Sequence, residues 1–267
     1  MKSNIGRKLS LFGWGCWLSY PVALLIGVTS AGAVPTQLKL ILPQPPQRGM
    51  SGKRSAAASR DKCPSVTQPL TALVPQYAAN RVWGLTSMEH PTFWFYVPYP
   101  KNSIVDISFT LQDETNPIDT QIVYQNAKLT PTLIPGVMAI ALPKSTVPLS
   151  AKRSYHWFMK LNMSCTIGQR PIFVEGWVQR TELNSSLTNQ IEQATPTEQV
   201  NLYAANGLWY DALTTLAHLR AAKPQDKYLN QAWKNLLESI ELGDLASQPF
   251  GDERRSTNPP QSKTVGF

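Results

Sequence analysis

Tyr155-His156-Trp157-Phe158-Met159-Lys160-Leu161-Asn162-Met163-Ser164-Cys165 sets Tyr155, Trp157, Met159, Leu161, Met163 and Cys165 on one parity. A period of two is the signature of a strand with one face turned to a core, so this stretch reads as β-structure with Cys165 on the inward face. Working outward, Val105, Ile107, Phe109 and Leu111 alternate with Asp106, Ser108 and Thr110 in the same way. Further strands are expected at 81–86, 92–97, 120–125, 137–142 and 171–180, with turn residues about every ten positions. About seven strands without intervening helical periodicity predict an antiparallel β-sandwich, Ig-like or jelly-roll-like, over residues 63–182.

After Arg180 the period lengthens. Leu183, Leu187 and Ile191 form a helical stripe, and Thr195-Pro196-Thr197-Glu198 is a capping box with proline where its missing N–H costs nothing. Gly207 supplies a stop. Trp209, Ala212, Leu213, Leu216 and Leu219 line a following helix, and a last helix capped by Asp226 carries Leu229, Trp233, Leu236, Leu237 and Ile240. The stretch Tyr203 to Leu213, with Pro224 beyond it, resembles the turn and second helix of one tetratricopeptide unit. A single copy has no neighbouring repeat, so a helical hairpin over 183–245 is expected to pack on or beside the sandwich. The fold class is therefore α+β.

With 267 residues, 42% of them hydrophobic, the chain can bury a sizeable core. Its net charge of +8 needs locating before it implies a partner. Lys2, Arg7 and Lys8 precede an apolar stretch ending in Ala31-Gly32-Ala33, which reads as a signal peptide over 1–33 with cleavage after Ala33. An uncleaved anchor is the alternative, but Gly13, Gly15, Ser19 and Pro21 dilute the run. Residues 34–62, rich in proline, serine and basic side chains, read as a disordered leader. Beyond them sixteen basic residues face sixteen acidic ones, so the excess charge belongs to the two N-terminal segments. A body of zero net charge takes away the main support for binding along a phosphate backbone, so nucleic acid is not an expected partner. Residues 246–267 read as a disordered tail.

Without the signal segment, two cysteines remain, Cys63 and Cys165. An even count in an exported chain favours one disulfide, closing a loop of about a hundred residues and contributing roughly 4 to 5 kcal/mol on the chain-entropy argument. A catalytic thiol or a metal ligand is the alternative reading. Neither a C-x-x-C motif nor an adjacent base supports it.

Four segments together resemble the cyanobacterial family catalogued as Domain of Unknown Function 928. They are Cys63-Pro64 with Leu70-Thr71-Ala72-Leu73-Val74-Pro75; Pro91 to Tyr99; Phe173 to Arg180; and Ala205 to Leu213. They stand in family order and span most of 63–245. The resemblance implies an exported protein and carries no activity and no catalytic residue.

Candidate chemistry is sparse. His90, His156 and His218 are not at metal-ligand spacing, and no cofactor or metal is expected. No G-x-S-x-G elbow or phosphate-cradling glycine loop occurs. For glycan cleavage by paired acids, Glu175 is the best single candidate, with Glu89 or Asp106 as partner; the simpler reading turns Glu175 to solvent or pairs it with Arg170 or Arg180. Phe93-Trp94-Phe95-Tyr96-Val97-Pro98-Tyr99 puts large rings on both faces of one strand. If Phe93 and Phe95 enter the core, Trp94, Tyr96 and Tyr99 need a cover, which is either the helical hairpin or a sugar stacked on the rings. The function expected is a non-enzymatic binding or assembly module, periplasmic or extracellular. An envelope protein or a polysaccharide is the partner, with no transmembrane segment after cleavage.

Overall fold

The computed structural model describes residues 39–46, 50–56, 63–116, 118–129, 135–166 and 168–250, with the backbone of 254–255. All lie in the second of two compact units, Thr36–Phe267. The expected signal peptide falls outside the described residues, as does the tail from 256 on.

The long strands form as their alternation predicts. β8 (Ser154–Cys165) and β9 (Gly168–Arg180) make one antiparallel hairpin, in register from Ser154 with Gln179 to Cys165 with Gly168. On β8, Tyr155, Trp157, Met159, Leu161 and Met163 are all buried. β5 (Ile104–Asp113) pairs with the other edge of β8, and β6 (Gln121–Leu129) completes that side. On the far side β3 (Arg81–Thr86) pairs with β9 and β2 (Gln76–Tyr77) with β3, giving the order β2-β3-β9-β8-β5-β6. A smaller sheet holds β1 (Thr71–Ala72), β4 (Thr92–Val97) and β7 (Gly136–Ala141), with β10 (Arg254–Arg255) at its edge.

The two sheets face each other through aromatic side chains. The rings of Phe93 and Phe109 lie 4.9 Å apart and those of Phe95 and Trp157 5.6 Å. Such edge-to-face and tilted pairs add about 0.5 to 1.5 kcal/mol each beyond the area they bury. The fold is α+β, a sandwich followed, among the described residues, by four α-helices: α1 (Ser185–Gln193), α2 (Pro196–Ala205), α3 (Trp209–Ala222) and α4 (Lys227–Glu238). Thr195 forms the expected capping box with Glu198, and Gly207 ends the α2 turn at φ +73°. The stripe of Leu183, Leu187 and Ile191 and the capping box serve two separate helices, because Ala194 is extended and breaks the run.

Four expectations are corrected. β3 runs parallel to β9, so the large sheet is mixed rather than antiparallel. Val105 is 48% exposed although it shares the parity of Ile107, because a register shift between Ile104 and Asp106 turns it out. The leader is not structureless at 39–46 and 50–56. The Ile41 amide donates to the Ala204 carbonyl at 3.0 Å, while Met50 and Ala56 are buried. Residues 51–53 lie where β3 and β9 part, with Ser51 bridged to Arg81 and Lys53 to Glu175. Finally, the ordered body extends past 246 to Phe250, whose ring packs 5.0 Å from that of Trp233.

The close approach of strands and rings requires Gly176. A Cβ there would lie 2.5 Å from Trp157 Cζ2 and 2.6 Å from Val82 Cγ1. Gly176→Ala is expected to lower unfolding stability in urea by about 1 to 3 kcal/mol through overpacking, whereas Gln169→Ala, at an exposed position of the same strand, should stay within about 0.5 kcal/mol.

Candidate functional site

Of the two covers weighed for the candidate ligand-contact rings, the helices or a sugar, the protein supplies its own. Trp94, Tyr96 and Tyr99 are 4%, 7% and 4% exposed. Phe93 and Phe95 enter the sandwich core, so Trp94 points the other way, where α3 meets it: its indole N–H donates to Thr214 Oγ1 at 3.0 Å. The His218 ring lies 6.2 Å from Trp94 and the Phe250 ring 6.0 Å. A sugar cannot stack on a face already packed, so the open platform is corrected to an interface between sheet and helices. The reason is that α3 and α4 bury an apolar stripe of their own, and β4 is the face available to them.

What holds that interface is three successive residues at the start of α3. Trp209 donates its indole N–H to the Leu73 carbonyl at 2.9 Å. The Tyr210 hydroxyl accepts from the Trp157 indole at 2.9 Å and donates to the Trp177 carbonyl at 3.1 Å. Asp211 accepts from the Ser87 amide at 3.1 and 3.2 Å and from the Ser87 hydroxyl. Burial pushes the Asp211 carboxyl up to about 6, against hydrogen bonds from Ser87 and Thr86 that pull it down. These groups are fully enclosed and mutually satisfied, which suits a structural plug.

The chemistry that remains near solvent is on the outer face of the large sheet. His156 stacks on Trp177, centroids 4.2 Å apart and planes 11° apart, with Phe158 at 4.0 Å on the same strand. Its Nδ1 is 3.1 Å from Glu114 Oε1, and its Nε2 is 3.5 Å from Glu175 Oε2. The second contact is at ion-pair distance but is not a hydrogen bond, and Nε2 is buried without a hydrogen-bond partner among the described residues. Burial lowers the His156 pKa, and the two carboxylates partly oppose that shift. With Nδ1–H donating to Glu114, the neutral imidazole leaves a bare Nε2 lone pair facing Glu175.

Glu175 is thus neither turned wholly to solvent nor paired with Arg180, which binds the Ser87 and Leu149 carbonyls and sits 3.3 Å from Glu89. The expected acid partners do not meet Glu175. Glu89 is held by Arg180, and Asp106 accepts from Asn162 at 2.8 and 2.9 Å. Asn162 lies four residues along β8 from Phe158, the residue opposite Glu175, which is about 13 Å of strand. Glu114 is the neighbour that sequence reasoning missed; only the β5–β8 register, Gln112 opposite His156, brings it close. The His156 imidazole lies between Glu114 and Glu175, whereas paired-acid glycan cleavage needs two carboxyl groups about 5 to 10 Å apart with the sugar between them.

The other two histidines are occupied elsewhere. His90 Nε2 is 3.0 Å from the Thr146 carbonyl, and His218 lies by Trp94. Among the described residues no cluster of three His, Cys, Asp or Glu could hold a metal ion. No helix among them is long and apolar enough to cross a membrane. Cys63 and Cys165 are joined as a disulfide with Cα atoms 4.5 Å apart.

Compared with known families, residues 55–250 match the one described as Domain of Unknown Function (DUF928). No curated protein matches the chain.

A folded-state histidine pKa below the ordinary 6.5 means that the unfolded chain takes up the proton first. The stability His156 contributes is therefore present above that value and lost as pH falls through the lower folded one. By NMR, the His156 ring should titrate below 6.5, and Trp177→Ala, which readmits water to its face, should raise the midpoint. A midpoint unmoved by Trp177→Ala would mean that burial under Trp177 is not the cause.

Proposed function

The chain belongs to the DUF928 family, and from that premise we propose that it is a non-enzymatic binding or assembly module, exported to the periplasm or extracellular space of a cyanobacterium. The observation that carries export is the Cys63–Cys165 disulfide, which ties the start of the body to the end of β8 across 102 residues. Such bonds persist in oxidising compartments and are rare in the cytosol. The N-terminal basic and apolar stretch with its small-x-small end supports the same reading.

The assembly role draws support from where the family-like segments place their chemistry. The aromatic strand, the Glu175-Gly176-Trp177 stretch of β9 and the Trp209-Tyr210-Asp211 run mostly serve packing. This leaves strands and an extended N-terminal segment as the features that could engage a partner. β6, nine residues long, forms one edge of the large sheet and holds Ile122 60% exposed. An envelope protein recognised along the backbone fits these features better than a polysaccharide, since Trp94, Tyr96 and Tyr99 are buried.

Protein recovered from its native host should start at Val34, lie in the periplasmic or culture fraction, and react with a thiol reagent only after reduction. Recovery from the cytoplasmic fraction with Met1 retained and all three cysteines, Cys16, Cys63 and Cys165, reactive without reduction would overturn the reading.

A further inference from the structure

The N-terminal segment is seated as a strand. β3 and β9 pair directly from Trp83 and Trp177 onward, but at Arg81 and Glu175 they have parted. Into that fork goes Ser51-Gly52-Lys53, antiparallel to both walls. The Gly52 amide donates to the Asn80 carbonyl at 2.8 Å, and Lys53 and Glu175 exchange two backbone hydrogen bonds of 3.0 Å. The Trp177 indole donates to the Ser51 carbonyl at 3.0 Å. The segment then crosses to the small sheet, where Ala72 donates to the Arg54 carbonyl and Ala56 to the Leu70 carbonyl, both at 2.8 Å. Arg54 also donates to the Ile240 carbonyl at 2.8 Å, beyond the end of α4.

Two features make this a site rather than an incidental contact. The walls of the fork lie within the family-matched residues 55–250, whereas the residues that enter it, 51–53, precede that span. The fit is also selective at one position. A Cβ on Gly52 would lie 2.8 Å from the Glu175 carbonyl oxygen and 2.8 Å from Val82 Cβ, so the inserted strand needs glycine between its two pairing residues.

We propose that this fork is a strand-acceptor site and that its second occupant, besides the chain's own residues 51–53, is the same segment of another copy of this chain. A second copy carries the glycine, the pairing residues and the arginine in the required register. Reciprocal exchange between two copies keeps every hydrogen bond of the single chain and closes with two-fold symmetry, a low-cost route to a dimer. Apart from the Trp177 indole, the partner atoms in the fork are main-chain groups, the mode by which extended segments are taken up at sheet edges. The inference rests on the assembly reading above. Its test is independent of export, because it is read on purified protein.

The test uses the full, disulfide-bonded chain carrying Gly52→Val, which drives its own segment from the fork, and a fluorescent peptide of residues 39–56. By anisotropy, the natural peptide should bind this variant at least tenfold more tightly than it binds the wild-type chain, whose fork is filled. The same peptide with Gly52→Val should bind at least tenfold more weakly. Light scattering on chains refolded at high concentration should show dimers for the wild type and monomers for Gly52→Val. A variant that melts cooperatively yet ignores the natural peptide overturns the acceptor site. Peptide binding together with monomeric wild type at every concentration overturns the second copy as occupant. If Gly52→Val does not fold, Lys53→Pro, which deletes the amide donated to Glu175, takes its place with the same readings.

Discussion

A single phenol hydroxyl, that of Tyr210, joins the helices to the large sheet. It accepts from the Trp157 indole of β8 and donates to the Trp177 carbonyl of β9, and its residue is fully enclosed. A buried polar group left without partners costs about 1 to 3 kcal/mol, so the geometry that satisfies Tyr210 is strongly selected over near alternatives. That geometry fixes where α3 begins. Trp209 then reaches back to Leu73 and Asp211 to Ser87, and the remainder of α3 lies over Trp94 of β4. Gly84 is part of the same fit, since a Cβ there would lie 3.0 Å from the Tyr210 ring.

From this constraint the family-like segments gain a common meaning. Phe93 and Phe95 fill the sandwich from one side of β4, and Trp94 receives α3 on the other. Gly176 lets Trp157 approach β9, and Trp177 supplies the carbonyl that Tyr210 needs. Segments far apart in the chain thus meet at one three-way junction. Trp209, Tyr210 and Asp211, two rings and a carboxylate in a row, each bond to a group of the sandwich and so dock α3. The Glu114, His156 and Glu175 group is different. It lies on the outer face, close to the inserted segment, since Glu175 pairs its backbone with Lys53 and Trp177 holds Ser51.

Legibility in the sequence followed the range of the interaction. The inward parity of β8, the capping box at Thr195 and the stop at Gly207 depend on neighbours a few residues away, and all three were readable. The Cys63–Cys165 pair was readable because counting left few other partners. Features set by register were not. Nothing local to Val105 announces the shift that exposes it, and nothing local to Glu114 places it beside His156. The leader misled for another reason. Its low apolar content argues against a core of its own, yet residues 51–53 are held by backbone partners, the Trp177 indole and the fit of a glycine, which a composition count does not register. The cover on Trp94 was one of two alternatives that the aromatic strand left open, and choosing between them required the position of α3.

The most direct measurement is a double-mutant cycle between Tyr210→Phe and Trp157→Phe, read by urea unfolding of the disulfide-bonded chain. If the Tyr210 hydroxyl organises the junction, removing it strands the Trp157 indole. The two substitutions should then couple by about 1 to 3 kcal/mol. Losses that simply add, to within about 0.5 kcal/mol, would contradict the account.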